Sequence, residues 1–186
     1  MKKHGIPAEN IITLAYDDIA SASENPFPGK LFNHPTPKGT PGIDNYAGLK
    51  IDYKGKDVTP KNFINVLTGA GDGKVLKSTE EDDVFIYFTD HGGSGIIAFP
   101  EDLLHKTELM GALETMAQKK MFKKLTFYLE ACESGSMFDD DKLKSLNIYA
   151  TTASNATESS WGYYCGQGSG LGDSSVDGKN VGACSA

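Results

Sequence analysis

Four short runs of apolar and β-branched residues stand out from an otherwise polar chain: Ile11 to Tyr16, Val84 to Phe88, Leu125 to Leu129 and Asn147 to Thr152. Their content of Ile, Val, Phe, Tyr and Thr predicts strands. The middle two barely alternate, which is the pattern of strands covered on both faces in a parallel sheet. Between the second and third runs, Leu109, Met110, Leu113 and Met116 recur at spacings of three and four, predicting a helix with Thr107 as its cap and Glu108 in its first turn. Lys119, Lys120, Lys123 and Lys124 follow it, where positive charge suits the negative end of the helix dipole. A second helix is predicted from Thr59-Pro60, a cap followed by proline at the first helical position, burying Phe63, Val66 and Leu67 and stopping at Gly69. Strand, crossover helix and strand in succession is the grammar of an α/β fold with right-handed connections and helices on both sheet faces. Two stretches stand outside it. Asn25 to Asn45 is dense in Pro and Gly and reads as an irregular surface loop, and from Gly162 onward Gly, Ser and Asp dominate, as in a long loop or tail.

Composition narrows the function classes. The 186 residues, 39% of them hydrophobic, suffice for one core of ordinary size. Lys plus Arg number 18 against 25 Asp plus Glu, and the net charge of -7 argues against a nucleic-acid-binding face. No apolar run approaches the roughly 18 residues of a membrane helix. The opening Met1-Lys2-Lys3-His4-Gly5 leads into no apolar segment and does not read as a secretory signal. Three cysteines are an odd count, so at least one thiol is free or pairs with another chain.

Polar residues gather where two of the predicted strands end. The run from Val84 delivers Asp90-His91-Gly92-Gly93, and the run from Leu125 delivers Glu130-Ala131-Cys132-Glu133-Ser134-Gly135-Ser136. In parallel strands both clusters emerge at the carboxyl edge, where open α/β sheets place their ligands. Neighbouring strands lie about 4.8 Å apart, so His91 and Cys132 can face one another across a small cleft. A thiolate nucleophile needs such an imidazole, to take its proton or to protonate the leaving amine. Gly92-Gly93 lets the backbone turn its N–H groups into the cleft, as an oxyanion hole requires. Glu130, two residues before Cys132 and so on its face, is placed to line a pocket. Asp90 is adjacent to His91 and points to the opposite face. A lone cysteine is most often a small hydrophobe, yet packing alone does not ask for Glu, Cys, Glu and Ser together at a strand end. His4, His34 and His105 have no nucleophile or glycine context. Without a Cys-x-x-Cys pair or a helical His spacing, the three cysteines make a poor zinc set, and no metal or cofactor is expected.

Val84 to Thr89 with Asp90-His91-Gly92-Gly93, and Tyr128-Leu129-Glu130-Ala131-Cys132-Glu133-Ser134-Gly135-Ser136-Met137, closely resemble the His and Cys motifs of the legumain family, the asparaginyl endopeptidases among the caspase-like cysteine proteases. Tyr16-Asp17-Asp18-Ile19-Ala20, Asn25-Pro26-Phe27-Pro28-Gly29, Asp57 to Phe63, Gly73 to Ser78 and Tyr149 to Ala153 are similar to family segments in the same order, from about Gly5 to about Gly166. The resemblance implies a caspase-like, mostly parallel sheet with helices on both faces. It makes Cys132 the nucleophile, His91 its partner and the amides of Gly92 and Cys132 the oxyanion hole. Glu130, Ser159 and Ser160 become the pocket for an asparagine side chain, with Trp161 flanking it and Asp173 of Leu171-Gly172-Asp173 as a further pocket residue. The family's pocket also uses an arginine after its first strand, in an Asn-Tyr-Arg-His segment that would precede residue 1. The expectation is therefore a partial catalytic domain over residues 1–161, shortened at both ends and missing that central strand, with 162–186 as its Gly/Ser-rich loop or tail.

The implied partners are peptides or proteins with Asn before the scissile bond, together with a propeptide or protein inhibitor, and the implied location is lysosome, vacuole or secretion. In such a compartment Cys165 and Cys184 could pair, for about 3 kcal/mol, leaving Cys132 free, and Asn155-Ala156-Thr157 is a glycosylation sequon. The alternative is an impaired fragment or pseudo-enzyme that keeps the groove without the activity. Ligation through the same thioester is a third reading.

Overall fold

The computed structural model describes residues 5–33, 36–37 and 39–162, and the backbone of 175–176 and 179–180. The chain divides into two compact units, one of residues 1–14 and 52–160, the other of 15–51 and 161–186.

The first unit is built on three parallel strands, β3 (Asp83–Thr89), β7 (Lys124–Glu130) and β8 (Ile148–Thr152), in the order β3-β7-β8. These are three of the four predicted strands. Pairing of Val84 with Leu125 and of Leu125 with Ile148, then of Ile86 with Phe127 and Phe127 with Ala150, puts one aliphatic and aromatic layer on a single face. That layer joins the helices in one core. α1 (Pro60–Thr68) begins as expected: Thr59 accepts the Asn62 N–H at 3.1 Å, Pro60 fills the first turn, and Gly69 ends the helix at φ 68°. Phe63 of α1 meets the Phe88 and Phe99 rings at 5.8 and 5.7 Å between centroids. α2 (Lys106–Gln118) buries Leu109, Met110, Leu113 and Met116, the predicted stripe. Its cap is His105 rather than Thr107, because Glu108 Oε2 reaches back to accept the His105 N–H at 3.0 Å. A short α3 (Asp140–Ser145), capped by Asp139, adds Leu143 to the core.

Three differences from the sequence expectation have physical reasons. The run Ile11 to Tyr16 forms only two residues of strand, β1 (Leu14–Ala15), outside the three-stranded sheet. The preceding segment is held by polar contacts instead: Thr13 N–H donates to Asp52 Oδ2 at 3.1 Å, and Asp52 and Tyr53 donate back to the Thr13 carbonyl. Tyr53–Lys54 forms β2. Second, a hairpin ladder falls outside the four predicted strands: β4 (Gly92–Gly93), β5 (Ile96–Phe99) and β6 (Asp102–His105) run antiparallel between β3 and α2. Third, burial along β3 alternates despite its unbroken apolar run. Among the described residues, Phe85, Tyr87, Tyr128 and Tyr149 lie 43–61% exposed on the sheet face opposite the core. Among the described residues of this unit the helices pack on the core face, and aromatic edge contacts such as Phe85–Tyr128, 5.2 Å between centroids, shield the other in part.

In the second unit the Pro/Gly-rich stretch carries neither helix nor strand among its described residues beyond the 25th position. Polar side chains organise it. Asn25 Nδ2 donates to the carbonyls of Ile19, Ala20 and Lys30, and Asp44 Oδ1 accepts the N–H groups of Leu31 and Tyr46 at 3.1 and 3.0 Å. Ser175–Val176 and Lys179–Asn180 pair antiparallel as β9 and β10.

Candidate active site

The β3–β7 register pairs Thr89 with Glu130, so His91 and Cys132 each stand two residues beyond the last pair of adjacent parallel strands. Asp90 N–H donates to the Glu130 carbonyl at 3.2 Å and extends the ladder one step toward them. Both residues leave the sheet at its carboxyl edge, as the strand-end pattern predicted.

The His91 segment is the first arm of the β4–β5 hairpin. Gly92 pairs with Ile97 and Gly93 with Ile96, and Ala98 N–H donates to the His91 carbonyl at 2.8 Å. That alternation makes Gly92–Ile97 the non-hydrogen-bonded pair, so the Gly92 N–H faces away from β5. Cys132 packs against the same glycine: a Cβ on Gly92 would overlap the Cys132 carbonyl oxygen and stand 2.9 Å from Ala131 Cβ. Only glycine fits. Asp90 contacts His91 through the backbone, its Oδ1 accepting the His91 N–H at 2.6 Å, which steadies the turn and leaves the imidazole exposed at the strand end.

Cys132 sits in a turn that cannot continue the strand. Glu133 takes the left-handed conformation at φ 52°, and Ser134–Met137 follow as a single 3₁₀ turn. Cys132 is a half-buried free thiol. Its Sγ donates to the Ser160 carbonyl oxygen at 3.6 Å, while the Ser160 hydroxyl donates to Glu130 Oε1 in a short hydrogen bond. Ser160 therefore touches both the thiol and the carboxylate, joining three of the anticipated site residues. Ser159 is exposed beside it. Trp161 belongs to the second unit and is exposed. Asp173, Cys165 and Cys184 lie outside the described residues.

Hydroxyls that sequence reasoning passed over brace this arrangement. Ser134 and Ser154, both buried, are cross-bonded through backbone and side chain, and Ser136 bonds the β4–β5 turn. Their only sequence signal is the density of small polar residues after Cys132. Among the described residues no group of His, Cys, Asp and Glu is assembled to hold a metal ion. A surface groove lined by Ile64, Asn65, Leu103 and Gly111 includes none of the site residues.

The sequence matches the Peptidase C13 family over residues 1–184. It is 54% identical over 164 residues to the hemoglobinase of Schistosoma japonicum, 49% over 183 residues to the legumain of Mus musculus, and 47% over 172 residues to the vacuolar-processing enzyme of Citrus sinensis. These alignments cover 87%, 92% and 89% of the chain, and 37%, 40% and 34% of the respective relatives. The chain thus spans well under half the length of the curated relatives it matches. With the family matched along nearly the whole sequence, and its His and Cys motifs lying at neighbouring ends of one parallel sheet, the chain belongs to the Peptidase C13 family.

Proposed function

We propose that the protein is a cysteine endopeptidase that hydrolyses peptide bonds after asparagine. The observation that carries this reading is the double engagement of Ser160, which holds the Cys132 thiol through its carbonyl and the Glu130 carboxylate through its hydroxyl. A nucleophile and an acceptor for a side-chain amide are thereby bridged by one residue, Ser160.

In the proposed cycle His91 takes the Cys132 thiol proton, and the thiolate attacks the carbonyl carbon after the substrate Asn. Charge on the carbonyl oxygen is met by the N–H groups of Gly92 and Cys132. His91 returns the proton to the leaving amine as the C–N bond breaks, leaving a thioester. Water, deprotonated by His91, attacks the thioester, and the thiol leaves with the proton restored. Specificity follows from an amide being both donor and acceptor: Glu130 accepts from the asparagine NH₂, an interaction a leucine cannot make. Ser159 and Ser160 form one wall of that pocket. The names hemoglobinase and vacuolar-processing enzyme support protein substrates and a vacuolar setting; a lysosomal or secreted location and a propeptide or protein inhibitor as a further partner rest on the family resemblance.

The test is a pair of fluorogenic peptides differing only in Asn or Leu before the scissile bond. Cleavage of the Asn peptide that is lost in Cys132→Ala supports the reading. Turnover surviving that substitution overturns the dyad, and an inert wild type whose Cys132 reacts with a thiol probe no faster than free cysteine assigns the protein to the groove-only alternative.

A further inference from the structure

The turn that follows the nucleophile faces two ways. On one side, Ser134 is fully buried and Ser154 nearly so. Hydroxyls at that depth are costly unless bonded, and these are bonded to one another's segments. Ser134 Oγ donates to the Ser154 carbonyl at 3.3 Å and accepts the Ser154 N–H at 3.1 Å; the Ser134 N–H donates to Ser154 Oγ at 3.2 Å. Ser154 Oγ donates in turn to the Ala131 carbonyl at 2.9 Å. The seam continues with Gly135 N–H to the Ser154 carbonyl at 3.0 Å and Glu133 N–H to the Glu158 carbonyl at 2.8 Å. A Cβ on Gly135 would stand 2.9 Å from both Ala156 N and Asn155 C, so the two backbones are in contact. This seam anchors the segment that ends at Ser160.

On the other side, Ser136 Oγ accepts the Gly95 N–H at 2.8 Å and donates to the Gly93 carbonyl at 3.4 Å. Gly93 and Gly95 flank the turn of the hairpin whose first arm begins at His91. One short turn therefore holds the His91 arm by one serine and the Ser160 segment by the other, with Cys132 between them.

We propose that Ser134 and Ser136 are positioning residues with separable tasks: Ser136 sets His91 against Cys132, and Ser134 sets the Ser160–Glu130 pocket against Cys132. The proposal rests on the site roles given under Proposed function. Alanine at 136 leaves the Gly95 N–H without its partner, removes the second bond to the Gly93 carbonyl and unties the hairpin from the turn. Alanine at 134 opens the seam while the hairpin tie stays.

The experiment compares labelling rates of Cys132 in the full chain, followed at that residue by peptide mass spectrometry, for wild type, Ser134→Ala, Ser136→Ala and Gly135→Ala. Two reagents are used: iodoacetamide, which senses the thiol and its imidazole, and a peptidyl chloromethyl ketone carrying Asn or Leu next to the warhead, which also senses the pocket. Ser136→Ala is expected to slow both reagents by about tenfold, leaving their ratio near that of wild type. Ser134→Ala is expected to keep iodoacetamide within about threefold and to slow the peptidyl reagent by about tenfold or more. Identical behaviour of the two variants, or variants that lower only the melting temperature, overturns the proposal. If Ser134→Ala lacks a cooperative melt, Gly135→Ala takes its place, since its Cβ forces the same seam apart; an unchanged reagent ratio there overturns the proposal. Failure of the Asn reading appears elsewhere, as a wild type with no preference for the Asn reagent. The variant ratios are then read with whichever peptidyl reagent wild type prefers.

Discussion

The Gly92 backbone lies against Cys132 with no room for a side chain between them, and any Cβ there would overlap the Cys132 carbonyl oxygen. This close approach joins the two chain segments that carry the site. Gly92→Ala is expected to cost about 1–3 kcal/mol of stability by overpacking and to lower kcat by about 100-fold as the strand ends part. Thermal melts and steady-state kinetics check both, and a variant retaining a tenth of wild-type kcat would contradict the assignment.

His91 is exposed at the strand end, so on its proposed role its removal touches chemistry and not packing. His91→Ala is expected to lower kcat by roughly 10²–10⁴-fold while the melting temperature stays at the wild-type value. A drop in melting temperature with kcat preserved would make His91 structural.

The Ser160–Glu130 hydrogen bond predicts a split between recognition and chemistry. Glu130→Gln keeps the shape but can present an NH₂ where an acceptor is needed. Its kcat/KM for an Asn peptide is expected to fall by about 10–100-fold, the worth of a charge-assisted hydrogen bond of about 1.5–3 kcal/mol. Ser160→Ala, which leaves the carboxylate without its donor, is expected to act mainly through KM. Equal losses on Asn and Leu peptides in Glu130→Gln would remove that carboxylate from the pocket.

Asp44 is expected to make the local order at Leu31 and Tyr46 sensitive to acid. The N–H of Leu31, foremost, and that of Tyr46 hold its carboxyl below the ordinary value of 3.8. A carboxyl depressed by folding contributes fully above its unfolded value and loses that contribution as pH falls through the folded one. The amide proton shifts of Leu31 and Tyr46 are expected to titrate with a midpoint below 3.8 and to become insensitive to pH in that range in Asp44→Asn. A midpoint above that value would contradict the arrangement.

Much of the sheet and helix framework was legible in the sequence because it rests on local rules. Thr59, Pro60 and Gly69 mark α1 by capping chemistry, and the α2 stripe follows helical period. The β4–β6 ladder escaped notice because its strands have two to four residues, too few for a period to register. Ile11 to Tyr16 differs for the opposite reason: a strand-like run offers a strand, but pairing decides, and Asp52 takes the Thr13 N–H. Similarly, the apolar run of β3 reports what its side chains are and not which face is covered. At the site, Cys132, His91 and Glu130 were visible as polar residues at the ends of apolar strands. The Ser134, Ser136 and Ser154 contacts were not, since a hydroxyl bonded to distant backbone leaves no spacing to detect.

Ser160 offers its carbonyl to the thiol and its hydroxyl to the pocket carboxylate. On the proposed roles, a substrate amide that engages Glu130 shares that carboxylate with the Ser160 hydroxyl, so filling the pocket bears on the residue whose carbonyl meets Cys132. Linkage then requires the reverse: a non-covalent ligand at the thiol changes the pocket's affinity by the same factor. On the proposed roles, selecting a side chain and readying the nucleophile are two readings of one equilibrium.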